Sequence, residues 1–168
     1  MSIKDSLLPE YDHEMGTARK LLERVPDADM GWKPHQKSMS MGELAMHIAE
    51  IPTWAGAILK VPEFDMADAG EHDAPKAPTS RAHLLQTFDK AVADARAMIA
   101  ATGDAEFMAI WALKNKGQEM FSAPRIVATR SFIFNHAIHH RGQLSVYLRL
   151  KNIPVPAIYG PSADEGGM

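Results

Sequence analysis

The sequence contains no cysteine, and this absence excludes several kinds of chemistry at once. None of its 168 residues is a cysteine, so disulfides, thiolate nucleophiles, cysteine-ligated zinc and iron–sulfur clusters are all excluded. Any reactivity must come from histidine, carboxylate, tyrosine or serine side chains, or from a bound metal. If a thiol takes part in a reaction, it must enter as a substrate.

Long hydrophobic runs and a strong excess of charge are also missing. No apolar stretch reaches the roughly 18 residues that a membrane-spanning helix needs. A formal net charge of −3 gives no reason to expect nucleic acid or an anionic membrane as a partner. The N-terminus lacks the basic and then apolar pattern of a secretory signal. We therefore expect a cytoplasmic protein.

The length and composition are those of one globular domain. A chain of 168 residues, with 46% apolar and 23% charged residues, resembles ordinary soluble proteins. A chain of this size buries roughly 70% of the surface that it exposes when unfolded. We therefore predict a single domain over residues 1–168.

Four segments repeat apolar residues with the period of a helix. The second segment begins at Ser40, which has the spacing of a capping box with Glu43. Pro52 lies inside the same segment and is expected to kink the helix or to replace one turn. The four predicted helices span approximately residues 8–24, 40–59, 79–102 and 124–150.

Two connections between the predicted helices are long. Residues 61–78 are rich in acidic residues, proline and glycine, which predicts a long acidic crossover loop. Residues 107–121 hold two short apolar runs around a turn sequence at 114–117, which indicates a hairpin or an irregular excursion. The predicted fold is therefore all-α: a four-helix bundle with a long crossover between helices 2 and 3 and a short irregular or hairpin excursion before helix 4.

Three of the eight histidines lie beside the apolar faces of two predicted helices. At about 100° per residue, His136 and His140 share one flank of the fourth helix, one turn apart. By the same count His139 lies opposite the apolar face, and His47 lies on the flank of the apolar face of the second helix.

This spacing is typical of a metal site. Two imidazoles one turn apart can bind one divalent ion, and a third from a facing helix completes a set with an open coordination position. Such an ion activates bound water or thiol at neutral pH. Ala137 follows His136, so the zinc-protease pattern with its built-in glutamate is absent. The alternative is that each histidine is an ordinary hydrogen-bonded residue, and spacing alone leaves both interpretations open.

Two stretches of the sequence resemble the DinB/YfiT-like superfamily, a group classed as metalloenzymes. SMGELAMHIAE at residues 40–50 resembles the second-helix motif of that superfamily, and HAIHHRGQL at 136–144 resembles its fourth helix. The sequences YLR at 147–149 and PVP at 154–156 resemble the exit from that helix. WKP at 32–34 is similar to the segment before the second helix. The resemblance extends over most of the chain.

The resemblance implies a four-helix bundle with one divalent ion per chain, of nickel or zinc type, held by His47, His136 and His140. It also implies a homodimer. Characterised relatives include metal-dependent transferases that use low-molecular-weight thiols such as bacillithiol, mycothiol or glutathione. We therefore expect a thiol S-transferase-like enzyme with a small-molecule substrate and no nucleic-acid or membrane partner. A metal-dependent hydrolase and a non-catalytic, stress-related dimeric bundle are the alternatives.

Further polar side chains are candidates for contact with the ligands or with a substrate. Metal-bound imidazoles usually donate their second N–H group to an acceptor, and the candidate acceptors are Glu50, Gln143, Asp12 and Glu14. Arg141 has the paired donors that hold an anionic substrate. The alternative for these residues is a surface role, in which Arg141 pairs with the acidic loop.

Overall fold

The computed structural model describes residues 2–69 and 76–166, which form a helical bundle with a small sheet at one side. The helices are α1 (Ile3–Leu22), α2 (Met41–Glu50), α3 (Trp54–Leu59), α4 (Arg81–Ala101), α5 (Asp104–Met108), α6 (Arg125–Thr129) and α7 (His136–Leu150). The strands are β1 (Glu63–Asp65), β2 (Ile110–Asn115) and β3 (Gln118–Pro124). None of the described helices is both long and apolar enough to cross a membrane.

Four helices enclose the main apolar core. Helix α1 packs against α4 and α7, and α2 packs against the same two helices. The apolar faces that the 3.6-residue repeat predicts are buried between them. Among the largest fully buried side chains are Tyr11, Leu44, Ile48, Phe88 and Phe134. The predicted bundle is therefore present, and it places α2 beside α7.

The second predicted helix begins and breaks where the sequence indicates. The Glu43 backbone N–H donates to Ser40 Oγ at 3.2 Å, and the Ser40 N–H donates to Glu43 Oε2 at 2.6 Å. This reciprocal capping satisfies two N–H groups that the first turn leaves without helical partners. Around Pro52, a single 3₁₀ turn over Ile51–Thr53 joins α2 to α3, because proline has no N–H to continue the α-helical ladder.

The fourth predicted helix contains a π-helical segment that its sequence pattern does not predict. Helix α6 leads into a π-helical segment, Arg130–Asn135, which leads directly into α7. A π-helix bonds residue i to i+5, so helical positions counted through it in steps of about 100° drift out of phase. His136 is the first residue after this segment, so its direction depends on the wider turn.

The prediction of an all-α fold is wrong, because the chain also forms a three-stranded sheet in the order β1-β2-β3. Strands β2 and β3 are the antiparallel hairpin expected around residues 114–117, and β1 adds to β2 in parallel. The prediction of a loop over residues 61–78 is therefore wrong at two places, where the chain forms β1 and a 3₁₀ turn at Met66–Ala69. Residues 70–75 of that predicted loop lie outside the described residues. A three-residue strand is too short to show a repeat of its own, and its partner is distant in the chain.

One carboxylate fastens β1 to the hairpin turn. Lys116 and Gly117 have φ values of 52° and 77°, as the central residues of a type I′ turn do. Asp65 Oδ1 accepts from the Lys116 N–H at 2.9 Å, and Asp65 Oδ2 accepts from the Gly117 N–H at 2.6 Å. Asp65 therefore stabilises the turn between β2 and β3 through two hydrogen bonds.

A tryptophan joins the sheet to the bundle. Trp111 on β2 is fully buried, and its indole Nε1–H donates to the Ala57 carbonyl of α3 at 2.8 Å. Its ring centroid lies 5.9 Å from that of Phe132 in the π-helical segment. The sheet is therefore packed against α3 and the π-helical segment, which lie next in the chain to the two helices that carry the clustered histidines.

Candidate metal centre

Three histidine side chains from two helices meet at the contact between α2 and α7. His47 projects from α2, and His136 and His140 project from α7. His47 Nε2 lies 3.1 Å from His136 Nε2, which lies 2.8 Å from His140 Nε2. One nitrogen from each of the three rings lies within 4.8 Å of the others. The structure therefore brings together the three histidines that helical spacing selects.

The fourth histidine of this region stands apart. His139 is exposed and is not among the three whose nitrogens converge. Its ring centroid is 4.8 Å from that of His140, at an interplanar angle of 72°. A step of one residue turns a helical side chain by about 100°, so adjacent histidines on α7 face different surroundings.

Burial keeps the three clustered imidazoles neutral. Burial, together with the charges that His140 and His136 would carry, lowers the pKa of His47 from 6.5 to about 4. The pKa values of His136 and His140 are also lowered, with burial as the largest cause. A neutral imidazole has a lone pair on one ring nitrogen, and that lone pair is what a metal ion binds.

Gln143 sets the tautomer of one histidine. Its side-chain oxygen Oε1 lies 2.7 Å from His140 Nδ1. A carbonyl oxygen can only accept, so Nδ1 carries the proton and donates it to this bond. The lone pair of His140 is then on Nε2, the nitrogen that faces the other two rings. Acceptors placed behind ligating histidines have this function in metal sites.

The donor set fits a divalent ion of the zinc or nickel type. In a tetrahedral zinc site with Zn–N bonds of about 2.05 Å, two nitrogen ligands lie about 3.3 Å apart. The 3.1 Å and 2.8 Å separations between the Nε2 atoms are slightly shorter than this value. Imidazole nitrogens bind zinc, nickel, copper and iron well, whereas calcium and magnesium prefer oxygen. Three protein ligands leave a position for a small molecule.

Glu50 lies one helical turn after His47 and keeps its carboxylate unpaired. It is an exposed residue, and its side chain makes no hydrogen bond or ion pair within residues 2–69 and 76–166. Partial burial of the carboxyl group raises its pKa. It is not among the groups whose ligand atoms converge. Glu50 is therefore a nearby carboxylate with no structural partner and not a fourth ligand.

Arg141 is buried against α1 and the segment that follows α7. It is 2% exposed, and its guanidinium donates to the Glu14 carbonyl at 3.1 Å and to Tyr159 Oη at 2.6 Å. It also forms an ion pair of 2.8 Å with the Glu14 carboxylate. The prediction that Arg141 holds a substrate or pairs with the acidic loop is thus corrected. The next position after His140 on a helix points toward α1, where Glu14 is buried.

The other two carboxylates proposed as acceptors for the histidines are engaged elsewhere. Asp12 accepts two hydrogen bonds from Arg96 of α4, at 2.7 Å and 2.9 Å. Glu14 is bound to Arg141 and also accepts from Tyr159 Oη at 2.8 Å. Neither carboxylate contacts the clustered histidines in the described part of the chain.

A pair of aromatic rings stacks where α3 meets the π-helical segment. Trp54 of α3 and Phe132 of the π-helical segment stack with centroids 6.1 Å apart and an interplanar angle of 15°. The helical spacing of the histidines singles out neither ring. The signal that could have found Phe132 is its spacing of four residues before His136, which is about one helical turn.

Comparison with known proteins supports the family that the motifs indicate. The model of the DinB family matches residues 1–166. The chain is 24% identical over 161 residues to the uncharacterized protein YrdA of Bacillus subtilis. The aligned region covers 96% of this chain and 90% of YrdA.

Two solved structures have the same fold. A DinB-like protein from Bacillus cereus superposes with a TM-score of 0.72 at 22% identity, over 94% of this chain and 98% of that chain. The DinB-like protein YjoA from Bacillus subtilis superposes with a TM-score of 0.67 at 16% identity, over 89% of this chain and 96% of that chain. At these identities the likeness concerns the fold.

Proposed function

This chain belongs to the DinB family, and we propose that it is a metal-dependent enzyme that holds one divalent ion, zinc or nickel, on His47, His136 and His140. The observation that carries the proposal is the convergence of one nitrogen from each of the three imidazoles within 4.8 Å. Burial keeps these rings neutral and Gln143 orients one of them. A metal ion bound there supplies Lewis acidity and lowers the pKa of a coordinated thiol or water.

We propose a thiol S-transfer reaction as the activity. The thiol must come from a small molecule, because the chain has no cysteine. Its sulfur forms a bond to an electrophilic carbon, and the leaving group departs with the electron pair of the bond that breaks. We assign the thiol proton to the unpaired carboxylate of Glu50, which lies one turn from His47 and whose raised pKa favours accepting a proton.

Hydrolysis is the second candidate, and Glu50 is the observation that favours it. A free carboxylate one turn from His47 can also accept a proton from water, once a metal ion has lowered the pKa of that water. The same side chains would then direct a hydroxyl oxygen at the electrophilic carbon. A test of activity must therefore separate the two nucleophiles.

Metal content tests the site directly. The protein is purified without a histidine tag or a nickel column, and its metals are measured by elemental analysis. We expect about one divalent ion per chain, which the three-ligand geometry predicts, and near-complete loss in His136→Ala. His139→Ala is the matched control, because it removes a neighbouring exposed histidine on the same helix. Full metal retention in His136→Ala would contradict the site.

Activity separates the candidate reactions. The metal-loaded protein is offered a chlorinated or epoxide electrophile with and without glutathione, bacillithiol or mycothiol. Transferase activity requires both the thiol and the metal, whereas product formation without thiol indicates the hydrolase. Glu50→Gln is expected to lower the rate with unchanged metal content. Metal that is bound with no activity and no exchangeable ligand would instead favour the non-catalytic bundle. The homodimer remains a prediction, which light scattering at several protein concentrations tests.

A further inference from the structure

Trp54 and Phe132 stack on the two segments that lie next in the chain to the helices that hold the histidine cluster. Trp54 follows His47 by seven residues and begins α3, directly after the 3₁₀ turn that ends α2. Phe132 precedes His136 by four residues on the segment that leads into α7. Since α2 packs against α7, the ring pair extends the same contact beyond the histidines, toward the sheet.

Further rings hold this pair in place. Phe132 lies 5.2 Å from Phe121 between ring centroids, and Trp54 lies 5.9 Å from Phe64. The buried ring of Trp111 packs behind Phe132. Trp54, Phe64, Phe121 and Phe132 are all partly exposed, and we call these four the aromatic wall. The wall is thus a supported apolar surface that remains in reach of solvent.

The opposite side of the cluster also carries two rings, but they are occupied by contacts within the chain. Trp32 meets Tyr147 edge to face at 5.7 Å. The Tyr147 hydroxyl donates to the Met39 carbonyl at 3.2 Å, and Lys151 Nζ lies 5.8 Å from the Trp32 ring centroid. Tyr147 thus has a hydrogen-bond partner and Trp32 a cation partner, whereas the aromatic wall has neither a side-chain hydrogen bond nor a cation–π contact within the described residues.

The charges near the aromatic wall disfavour an anionic ligand. Arg125 donates to the carbonyls of Ile58 and Val61 at 2.5 Å and 3.0 Å, and Arg130 pairs with Glu10 at 2.8 Å. The arginines that begin α6 and the π-helical segment are therefore both engaged. Glu50, whose side chain has no partner within the described residues, precedes Trp54 by four residues in the direction of His47. A carboxylate or phosphate on the ligand would meet the negative charge of Glu50 there, and neither arginine is free to offset it.

We propose that the aromatic wall binds the flat, uncharged part of the substrate, so that an aromatic electrophile lies with its reactive carbon toward His47, His136 and His140. The orientation of the reactive carbon toward the histidines rests on the proposed function. Binding of the ligand to the aromatic wall depends only on the rings. Aromatic rings favour offset-stacked or edge-to-face contact with one another, which gives them selectivity beyond that of plain apolar area.

Binding of an unreactive probe tests the wall without any need for catalysis. The probe is 4-nitrobenzyl alcohol, and 4-nitrobenzoate is its anionic counterpart. Isothermal titration calorimetry of the zinc-loaded protein measures both. We expect the alcohol to bind more tightly than the benzoate. We expect about five-fold weaker binding of the alcohol in Trp54→Leu and in Phe132→Leu, the size of effect that aromatic pairing supplies.

Matched variants keep the test decisive. Leucine retains most of the apolar volume, Trp54→Phe retains a ring and should keep binding within about two-fold, and Trp32→Leu removes the tryptophan on the other side of the cluster. No binding to the wild type, equal losses in Trp32→Leu and Trp54→Leu, or tighter binding of the benzoate would each overturn the proposal. Elemental analysis of the same samples reports the metal separately, so loss of the metal site and loss of the wall give different results.

Discussion

Gln143 decides which nitrogen of His140 faces the histidine cluster. The 2.7 Å bond from Nδ1 to Oε1 leaves the lone pair on Nε2. His47 and His136 have no such side-chain acceptor among the described hydrogen bonds. The orientation of the donor set therefore depends on one amide more than on any other polar side chain.

Gln143→Leu is expected to weaken metal binding by about ten-fold, because the imidazole loses the acceptor that fixes its tautomer. Competition with a zinc-binding indicator dye measures this affinity. Gln86→Leu is the matched control, since Gln86 is exposed on α4. Equal affinities in the two variants would contradict a role for the amide in orienting His140.

Spacing along a helix predicted the contacts of a residue well where its partner lies one turn away on the same helix. It predicted them poorly where the partner lies on another helix. His136 and His140 are one turn apart, and the structure brings their Nε2 atoms to 2.8 Å. Arg141 was expected near the substrate, but its partner Glu14 is 127 residues away on α1. Nothing in the local sequence of α7 indicates that partner.

At the scale of secondary-structure elements, the sheet is a structural support for the site. Strand β1 pairs with β2, and Trp111 of β2 reaches α3 and the π-helical segment. These two segments adjoin α2 and α7, which carry the histidines. π-helical turns are often found at functional sites, and here the turn ends at His136. The sheet therefore buttresses the two helix ends where the aromatic wall lies.

Trp111→Phe is expected to destabilise the protein by about 2 kcal/mol, because it removes a buried hydrogen bond and leaves a small cavity. Urea unfolding followed by far-UV circular dichroism measures the free energy. Trp32→Phe is the control, since Trp32 is only partly buried and its indole N–H makes no hydrogen bond within the described residues. If both variants unfolded at the same urea concentration, the bond to Ala57 would contribute little.

For the molecule as a whole, folding lowers the proton affinity of the three clustered histidines below that of the same residues in the unfolded chain. In the folded protein, burial lowers the pKa of His47 from 6.5 to about 4, and the pKa values of His136 and His140 are also lowered. The unfolded chain therefore takes up protons at these histidines at a higher pH than the folded protein does.

Stability of the metal-free protein is expected to fall as the pH falls from about 6.5, the pKa of an unfolded histidine, toward about 4, the pKa of folded His47. Above this pH range the three histidines are neutral in both the folded and the unfolded state, so their protonation takes nothing from the stability of the folded protein. Thermal unfolding of chelator-treated protein at pH 7.5 and pH 5 measures the change in Tm. His47→Gln removes one titrating group and should show a smaller fall in Tm. A fall as large as that of the wild type would exclude His47 as its cause.

The sequence by itself determined the features that repeat or pair within a few residues. These are the helical periods, the capping box at Ser40, the break at Pro52, the hairpin turn and the i, i+4 spacing of His136 and His140. Each depends on backbone geometry over one or two turns, which local composition encodes.

Only the tertiary structure decided the features that join distant parts of the chain. Packing of α2 on α7 places His47 3.1 Å from His136, although 89 residues separate them. Pairing of β1 with β2 makes the sheet, and the buried partner of Arg141 excludes it from the site. Such contacts depend on how whole elements bury their apolar faces together, and a window of local sequence does not contain that information.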